Sequence, residues 1–556
     1  MSQQPIISLL WKDGHPDLTR RTDSTLIQDL NLKRLVRSLS LHPDYESHVR
    51  AVLLTLTTDP ETIRYRQAVL ADLLHNPDLV QQLRRVLDEI ITLQGYLTTP
   101  QWSGNVLRQV AWRLSELDRY VETVKTLHRV LTDADAITSA GLTRLRDHLG
   151  EIIASDFFVQ LQQELPQLLA QIRNIRSITV GINLDPEMRP VAATLLAANP
   201  KPFAGESMLS RLFNFGDADD KQPLHDARKI DGIAEDQIEL RDRNSPFMPQ
   251  LFKDLSDLLD ETSQPIANAL RKYTQINSNV LIALKLDIAF YLGAVQMIET
   301  VQATGLPMCQ PDVLDVDART AELEGVYNIN LCLQQLAQTR SIGDIIGNHA
   351  TFDEDGRIFI LTGPNQGGKT TYTQAVGLAQ MLFQAGLHVP AQSARMSPVD
   401  AIYTHFAAEE RPDFEAGRLG EEARRLHDIF QHATRHSLIL LNESLASTAA
   451  SESLILAQEI VKAFRLLGAR AIFATHLLEL AAQVDDLNAD TSGDSCIISM
   501  VSQVDIETDS TGQQIKRTYK IVPSPPMQKS YAIELAARYG ISYEQITDLL
   551  RERDVI

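Results

Sequence analysis

From about residue 24 to 175, apolar side chains recur three and four positions apart. Leu53, Leu56, Ile63, Val69, Leu70, Leu73 and Leu74 form one such run. This is the period of helices that bury one face. Asp59-Pro60 and Asn76-Pro77 punctuate the run where helices should stop and restart. Ser177 to Leu184 and Pro190 to Leu196 flank Asp185-Pro186-Glu187, which predicts a strand pair inside an otherwise helical region. From 197 to 246 periodicity lapses and Pro, Gly and Asp collect, as in a loop or linker with one short helix at SMLSRLF. Helical spacing resumes from about Phe247 to Thr304, interrupted at Pro265, and is long enough for a lever arm. After Gly356 the pattern changes. Short apolar runs, RIFILT, AIYTHF, SLILLNE and RAIFATH, alternate with helical stretches, which is how a parallel α/β sheet reads.

Between RIFILT and the next helix, expected from Lys369 to Ala385, stands GPNQGGKTTY. Its spacing, Gly363-x-x-x-x-Gly368-Lys369-Thr370, fits a P-loop. In that motif backbone N–H groups surround phosphate oxygens, the lysine reaches the β/γ-phosphates and the hydroxyl coordinates Mg²⁺. A glycine-rich turn can carry the same letters, but the strand before it and the helix after it are the context the motif requires. SLILLNES puts Asn442-Glu443 at the carboxyl end of an apolar strand, the place of a Walker B pair that holds metal and polarises water. Glu443 is the catalytic candidate, although acids are also favoured at helix starts. Asn442 stands where an aspartate is expected and keeps an acceptor oxygen without the charge. The next strand ends in Ala474-Thr475-His476, which places an imidazole where a γ-phosphate sensor would sit.

Bulk properties narrow the setting. The 556 residues are 44% hydrophobic and 22% charged, so the chain is globular and long enough for several domains. Its three cysteines, Cys309, Cys332 and Cys496, are far apart. They suggest neither a disulfide framework nor a zinc site, and a reducing cytoplasm is expected. The N-terminus has no basic region ahead of its short apolar run, so no signal peptide is expected. NVLIALKLDIAFYLGAV has Lys285 and Asp287 at its middle and reads as a buried helix, not a membrane span. A net charge of −20 argues against a generally basic coat for nucleic acid, and no arginine-rich tract marks a local groove.

Gly363-Pro364-Asn365 with Gln366, then Gly367-Gly368-Lys369-Thr370-Thr371-Tyr372, resembles the P-loop of the MutS family of DNA mismatch and DNA-structure ATPases. Gly386 to Ala391 (GLHVPA) and Ser397 to Thr404 (SPVDAIYT) are similar to that family's next segments. Gly417-Arg418, Glu443, Ala474-Thr475-His476 and Lys529-Ser530-Tyr531 also fall where it has counterparts. Upstream, LTTDPETIRYRQAVLADLL and LDIAFYLGAVQ resemble its core and returning lever helices.

The resemblance implies a multidomain chain. A mainly α-helical core and lever region is followed by an α/β P-loop NTPase domain of the ABC type. Residues 1–104 would be core, 105–335 lever with a clamp-like insertion at about 177–246, and 336–556 ATPase with a C-terminal helical dimerisation segment. It further implies ATP and Mg²⁺ as cofactors and a homodimer in which Ser447 and Thr448 of one subunit approach the γ-phosphate held by the other. DNA is the implied ligand. The chain begins near the core, with no room for mismatch-reading and connector domains and no Phe-x-Glu wedge, so base recognition is not expected. No nuclease module is expected after the ATPase region. Ser444 to Thr448 (SLAST) departs from the family's glycine- and arginine-rich loop, and Asn442 from its aspartate, which could slow turnover. Two rivals stay open. One is a nucleotide-gated assembly module with little hydrolysis and no DNA role. The other is a transport- or chromosome-type ATPase of the wider ABC group, against which the GPN-x-GGKT, VPA and ATH segments argue.

Overall fold

The computed structural model describes residues 7–12, 24–98, 106–173, 177–187, 190–199, 201, 266–270, 273, 279–339, 344–407, 417–445, 449–509, 512–526 and 540–555. Outside them fall the expected SMLSRLF helix, Pro265, Ser447, Thr448 and Lys529-Ser530-Tyr531.

The helical region comprises α1 (Ser24–Asp29), α2 (Leu32–Leu39), α3 (Glu46–Leu54), α4 (Pro60–His75), α5 (Pro77–Thr98), α6 (Val106–Asp133), α7 (Ala140–Ala154) and α8 (Asp156–Arg173). The punctuation read from sequence is real. Asp59 caps α4 by accepting from the N–H groups of Glu61 and Thr62, with Pro60 in the first turn where its missing N–H is harmless. The strand pair also forms: β1 (Ser177–Leu184) and β2 (Pro190–Asn199) are antiparallel.

Packing divides the chain into two units. One is Met1–Leu87 with Val130–Leu145 and Ala283–Ile556; the other is Asp88–Arg129 with Arg146–Ile282. These bounds differ from the sequence divisions after residues 104 and 335. All four fall inside helices, α5, α6, α7 and α9 (Asn279–Gln302), where no change of composition marks them. The second unit holds Tyr273 fully buried, its hydroxyl donating to Glu164 of α8 at 2.8 Å and its carbonyl accepting from Arg113 of α6 at 2.9 Å.

In the first unit, α9 is the one helix among the described residues long and apolar enough to cross a membrane. It is instead a core helix, with Ile288 to Val295 buried. Asp287, fully buried, accepts from Ser8 Oγ at 2.6 Å and Leu9 N at 2.9 Å. The segment Ile7 to Lys12 is thereby drawn into the core. Arg66 of α4 grips the same segment through Leu10 O at 2.9 Å and the ring of Trp11 at 3.9 Å.

Two sheets follow. β3 (Asp312–Val313), β4 (Ala321–Val326), β5 (Asn348–Phe352) and β7 (Ser393–Met396) form a four-stranded sheet ordered β3-β7-β4-β5. The larger sheet contains β6 (Ile358–Thr362), β8 (Ile402–Phe406), β9 (Leu438–Asn442), β10 (Arg470–Ala474), β11 (Ile497–Asp509) and β12 (Gly512–Pro523), ordered β12-β11-β6-β10-β9-β8. Five strands are parallel: the four that the apolar runs suggested, β6, β8, β9 and β10, and β11, which they did not. β12 closes an antiparallel hairpin with β11 and makes the sheet mixed. Between strands run α10 (Ile329–Thr339), α11 (Lys369–Gln384), α12 (Gly417–His432) and α13 (Ala450–Leu467). One face of the sheet packs Ile358, Ile360, Leu441 and Phe473 against Val461 and Phe464 of α13. On α11, Arg66 Nη1 donates to Gln384 O at 2.7 Å, which fixes the far end of the helix that starts at the glycine-rich loop.

Candidate functional site

The five residues of β6 are all buried, as expected of a strand covered on both faces. Gly363 then turns at φ 141°, and a side chain there would stand 2.7 Å from Cβ of Ser502 on β11. Ser502 Oγ donates to Gly367 O at 2.6 Å, so β11 fixes both ends of the loop. Gly368, at φ 96°, caps α11, which places the positive end of the helix dipole at the loop. Lys369 Nζ donates to Gly363 O at 3.0 Å and Pro364 O at 3.2 Å, so its ammonium lies across the loop. Burial lowers the pKa of this lysine, and the Glu443 carboxylate works in the opposite direction to keep it charged.

Two strand ends deliver the other groups. Asn442 ends β9 and accepts from Thr370 Oγ1 at 3.0 Å through Oδ1. Glu443 follows at φ 55°, its N–H donating to Ala474 O at the end of β10 at 2.8 Å. Thr475 donates from its N–H to Leu361 O of β6 at 2.9 Å, and His476 Nε2 then lies 3.0 Å from Glu443 Oε1. Lys369, Thr370, Asn442, Glu443 and His476 therefore converge. Asn365 and Gln366 are exposed on the loop, Pro364 is half-buried, and Thr371 O accepts from Asn328 Nδ2 at 3.4 Å. Ser447 and Thr448 lie outside the described residues, so their expected approach to a phosphate is not part of this geometry.

A cavity of about 460 Å³ opens beside the loop, lined by Gln366 to Tyr372 and Glu443, a volume suited to a small organic ligand. Sequence reasoning missed its other walls. Asn348 of β5 donates from Nδ2 to Tyr519 O at 3.1 Å and accepts from Ile521 N at 2.8 Å. Tyr519 sits at φ 56° where the register of β11 and β12 shifts. This irregularity brings its ring to within 3.5 Å of where a Gly368 side chain would be. Outside that lining, Arg517 donates to Gln366 Oε1 at 3.2 Å. β5 and the β11–β12 hairpin together bring these residues to the loop, and no local motif announces them.

Among the described residues, no three His, Cys, Asp or Glu side chains gather as a metal cage. Thr370 Oγ1 and Asn442 Oδ1 offer two neutral oxygens 3.0 Å apart. That donor set suits Mg²⁺, which prefers oxygen, keeps several waters and takes most of its remaining ligands from phosphates.

Comparison with known proteins gives two matches along the chain. Residues 58–304 match the family profile described as the MutS2 N-terminal domain, and residues 359–551 match MutS domain V. The DNA mismatch repair protein MutS of Lactobacillus johnsonii is 28% identical over 303 residues, 52% of this chain and 33% of that protein. The Endonuclease MutS2 of Thermus thermophilus is 30% identical over 203 residues, 36% of this chain and 25% of that protein. The DNA mismatch repair protein MutS of Streptococcus pneumoniae is 34% identical over 214 residues, 38% of this chain and 23% of that protein. The chain thus spans a third or less of the length of these relatives. The loop, the two strand-end motifs and the two profile matches agree that the chain belongs to the MutS family.

Proposed function

We propose that the loop from Gly363 to Thr371 binds ATP with Mg²⁺ and that the site hydrolyses it to ADP and phosphate, as a P-loop NTPase of the ABC type. The observation that carries this reading is that Lys369, Thr370 and Glu443 line one cavity, with Asn442 bonded to Thr370 and His476 to Glu443. Lys369 supplies positive charge, and the loop N–H groups and α11 dipole add to it. Thr370 and Asn442 would hold Mg²⁺, whose charge would offset that of the phosphate oxygens. Glu443 accepts a proton from the attacking water, and His476 Nε2 aims the carboxylate. Positioning and electrostatics are the main contributions such a site makes to phosphoryl transfer.

Residues 1–104, 105–335 and 336–556 then serve as core, lever and ATPase regions in a reducing cytoplasm. Two copies close on ATP, with Ser447 and Thr448 reaching the partner's nucleotide, and the levers grip duplex or branched DNA. The support here is the family and the mismatch repair names of its relatives. Backbone and shape, not base edges, are the expected DNA determinants.

The neutral Asn442 favours a second reading, a nucleotide-gated clamp for a protein partner with little hydrolysis. ATP turnover by the full chain, measured in parallel with no DNA, homoduplex, a mismatch and a four-way junction, separates the two. Turnover changed by DNA supports the first. ATP binding without turnover, and without DNA retention, supports the second.

A further inference from the structure

The turn that carries Glu443 is held by four elements. Glu443 and Leu445 both adopt left-handed backbone, φ 55° and 65°, which non-glycine residues keep only where surrounding contacts over-determine it. Glu443 is tied to β10 through Ala474 O. Leu445 N donates to Glu422 Oε2 of α12 at 2.8 Å, and Leu445 O accepts from Ser453 of α13 at 2.7 Å. Ser444, between the two strained residues, is tied to β8. Its Oγ lies 3.1 Å from His405 O and 2.6 Å from His405 Nδ1.

The chemistry of this contact fixes its direction. A serine hydroxyl has one proton, and here it is donated to the His405 carbonyl. Both contacts are hydrogen bonds when the 2.6 Å one runs from His405 Nδ1–H to Ser444 Oγ. Burial, with Arg425 nearby, pushes the pKa of His405 down to about 4, which favours the neutral ring with its proton on Nδ1. His405 is 1% exposed and Ser444 4%. Among the described residues, Nε2 of His405 is buried and meets no hydrogen-bond partner. An apolar side chain would fill this place without desolvating a nitrogen. What the imidazole adds is a directed hold on the residue next to Glu443.

We propose that His405 is a positioning residue for hydrolysis: acting through Ser444, it holds the Glu443 turn in the left-handed geometry that aims the carboxylate at the attacking water. This rests on the reading that Glu443 activates water. Neither His405 nor Ser444 belongs to the glycine-rich loop, so nucleotide affinity should not depend on them.

The test compares ATP turnover and ATP binding in the full chain for Ser444→Ala, His405→Phe, His405→Asn and their combinations, with Glu443→Gln as reference. Misaiming a catalytic group by about an ångström can cost on the order of 100-fold in rate. Ser444→Ala and His405→Phe should each lower kcat by about 10- to 100-fold with ATP affinity within about threefold of wild type. Their double variant should be no slower than the worse single one, as for residues acting as one unit. His405→Asn, whose amide N–H can replace Nδ1–H, should recover most of kcat. If His405→Phe does not fold, Ser444→Ala and His405→Asn still decide the matter. Wild-type kcat in Ser444→Ala, or parallel losses of kcat and ATP affinity, would overturn the proposal while leaving Glu443 in place. Wild-type turnover in Glu443→Gln, or no turnover in the wild type, would remove the reading beneath it and the proposal with it.

Discussion

Lys369→Met removes the ammonium that spans the glycine-rich loop and keeps most of the apolar stem. Two consequences of different size follow. In the protein alone, the variant loses hydrogen bonds to Gly363 O and Pro364 O at 3.0 and 3.2 Å. Each such charged bond contributes about 1.5–3 kcal/mol. Against that stands the burial that lowers the pKa of Lys369, the desolvation of an ammonium that the variant no longer has; side-chain entropy changes little, because a buried methionine loses about as much as a lysine. The net loss of stability should therefore be only about 1–2 kcal/mol. For ATP the balance differs. A unit charge about 4 Å from a phosphate oxygen contributes about 4 kcal/mol at an effective dielectric of 20, or about a thousandfold in affinity. Calorimetric titration with Mg-ATP measures the second quantity and urea unfolding the first. An affinity within about threefold of wild type would refute the role of the lysine. A stability loss large enough to unfold the protein would refute the separation of the two terms.

Other outcomes follow from the same geometry. Gly363→Ala should destabilise more than Gly368→Ala in urea unfolding. Both positions have positive φ and incur backbone strain of about 1–3 kcal/mol, but the first also places Cβ 2.7 Å from Ser502 Cβ, whereas the second meets nothing nearer than Tyr519 Cδ1 at 3.5 Å; the reverse order would show that the loop moves freely. Asn442→Asp should leave ATP binding intact and lower the Mg²⁺ concentration for half-maximal hydrolysis; an unchanged Mg²⁺ dependence would remove Asn442 from the metal site. Burial pushes His388 and His405 down to about 4 from the ordinary 6.5. Below pH 6.5 the unfolded chain therefore takes up protons that the folded protein refuses, and stability present above 6.5 is lost as pH falls toward 4, by at most about 3 kcal/mol per group. His388→Gln with His405→Asn should flatten that loss between pH 7 and 5 in urea unfolding; an unchanged slope would contradict it.

What could be read in advance was local. β6, the loop and α11 declare themselves because a two-face buried strand, glycines with positive φ and a helix N-terminus are contiguous in the chain. Asp59-Pro60 does so because a cap and a proline act over one turn. The burial of α9 was legible in Lys285 and Asp287, which suit a helix core with partners and not hydrocarbon. The walls of the cavity were not legible. Asn348 and Tyr519 are 171 residues apart in sequence, and the register shift that turns Tyr519 toward Gly368 exists only once β11 and β12 pair. His405 and Ser444 likewise lie on different segments that only the β8–β9 pairing brings together. The unit boundaries were hidden for a related reason: each lies within a helix whose periodicity continues across it.

The most direct test of the central claim is phosphate release by the full chain at saturating Mg-ATP, wild type against Glu443→Gln, with ATP binding measured on the same samples. A general base contributes on the order of 10²–10⁴ in rate. The account predicts measurable turnover in the wild type and a variant at least about 100-fold slower that binds ATP no more weakly. Equal rates in the two proteins would contradict it.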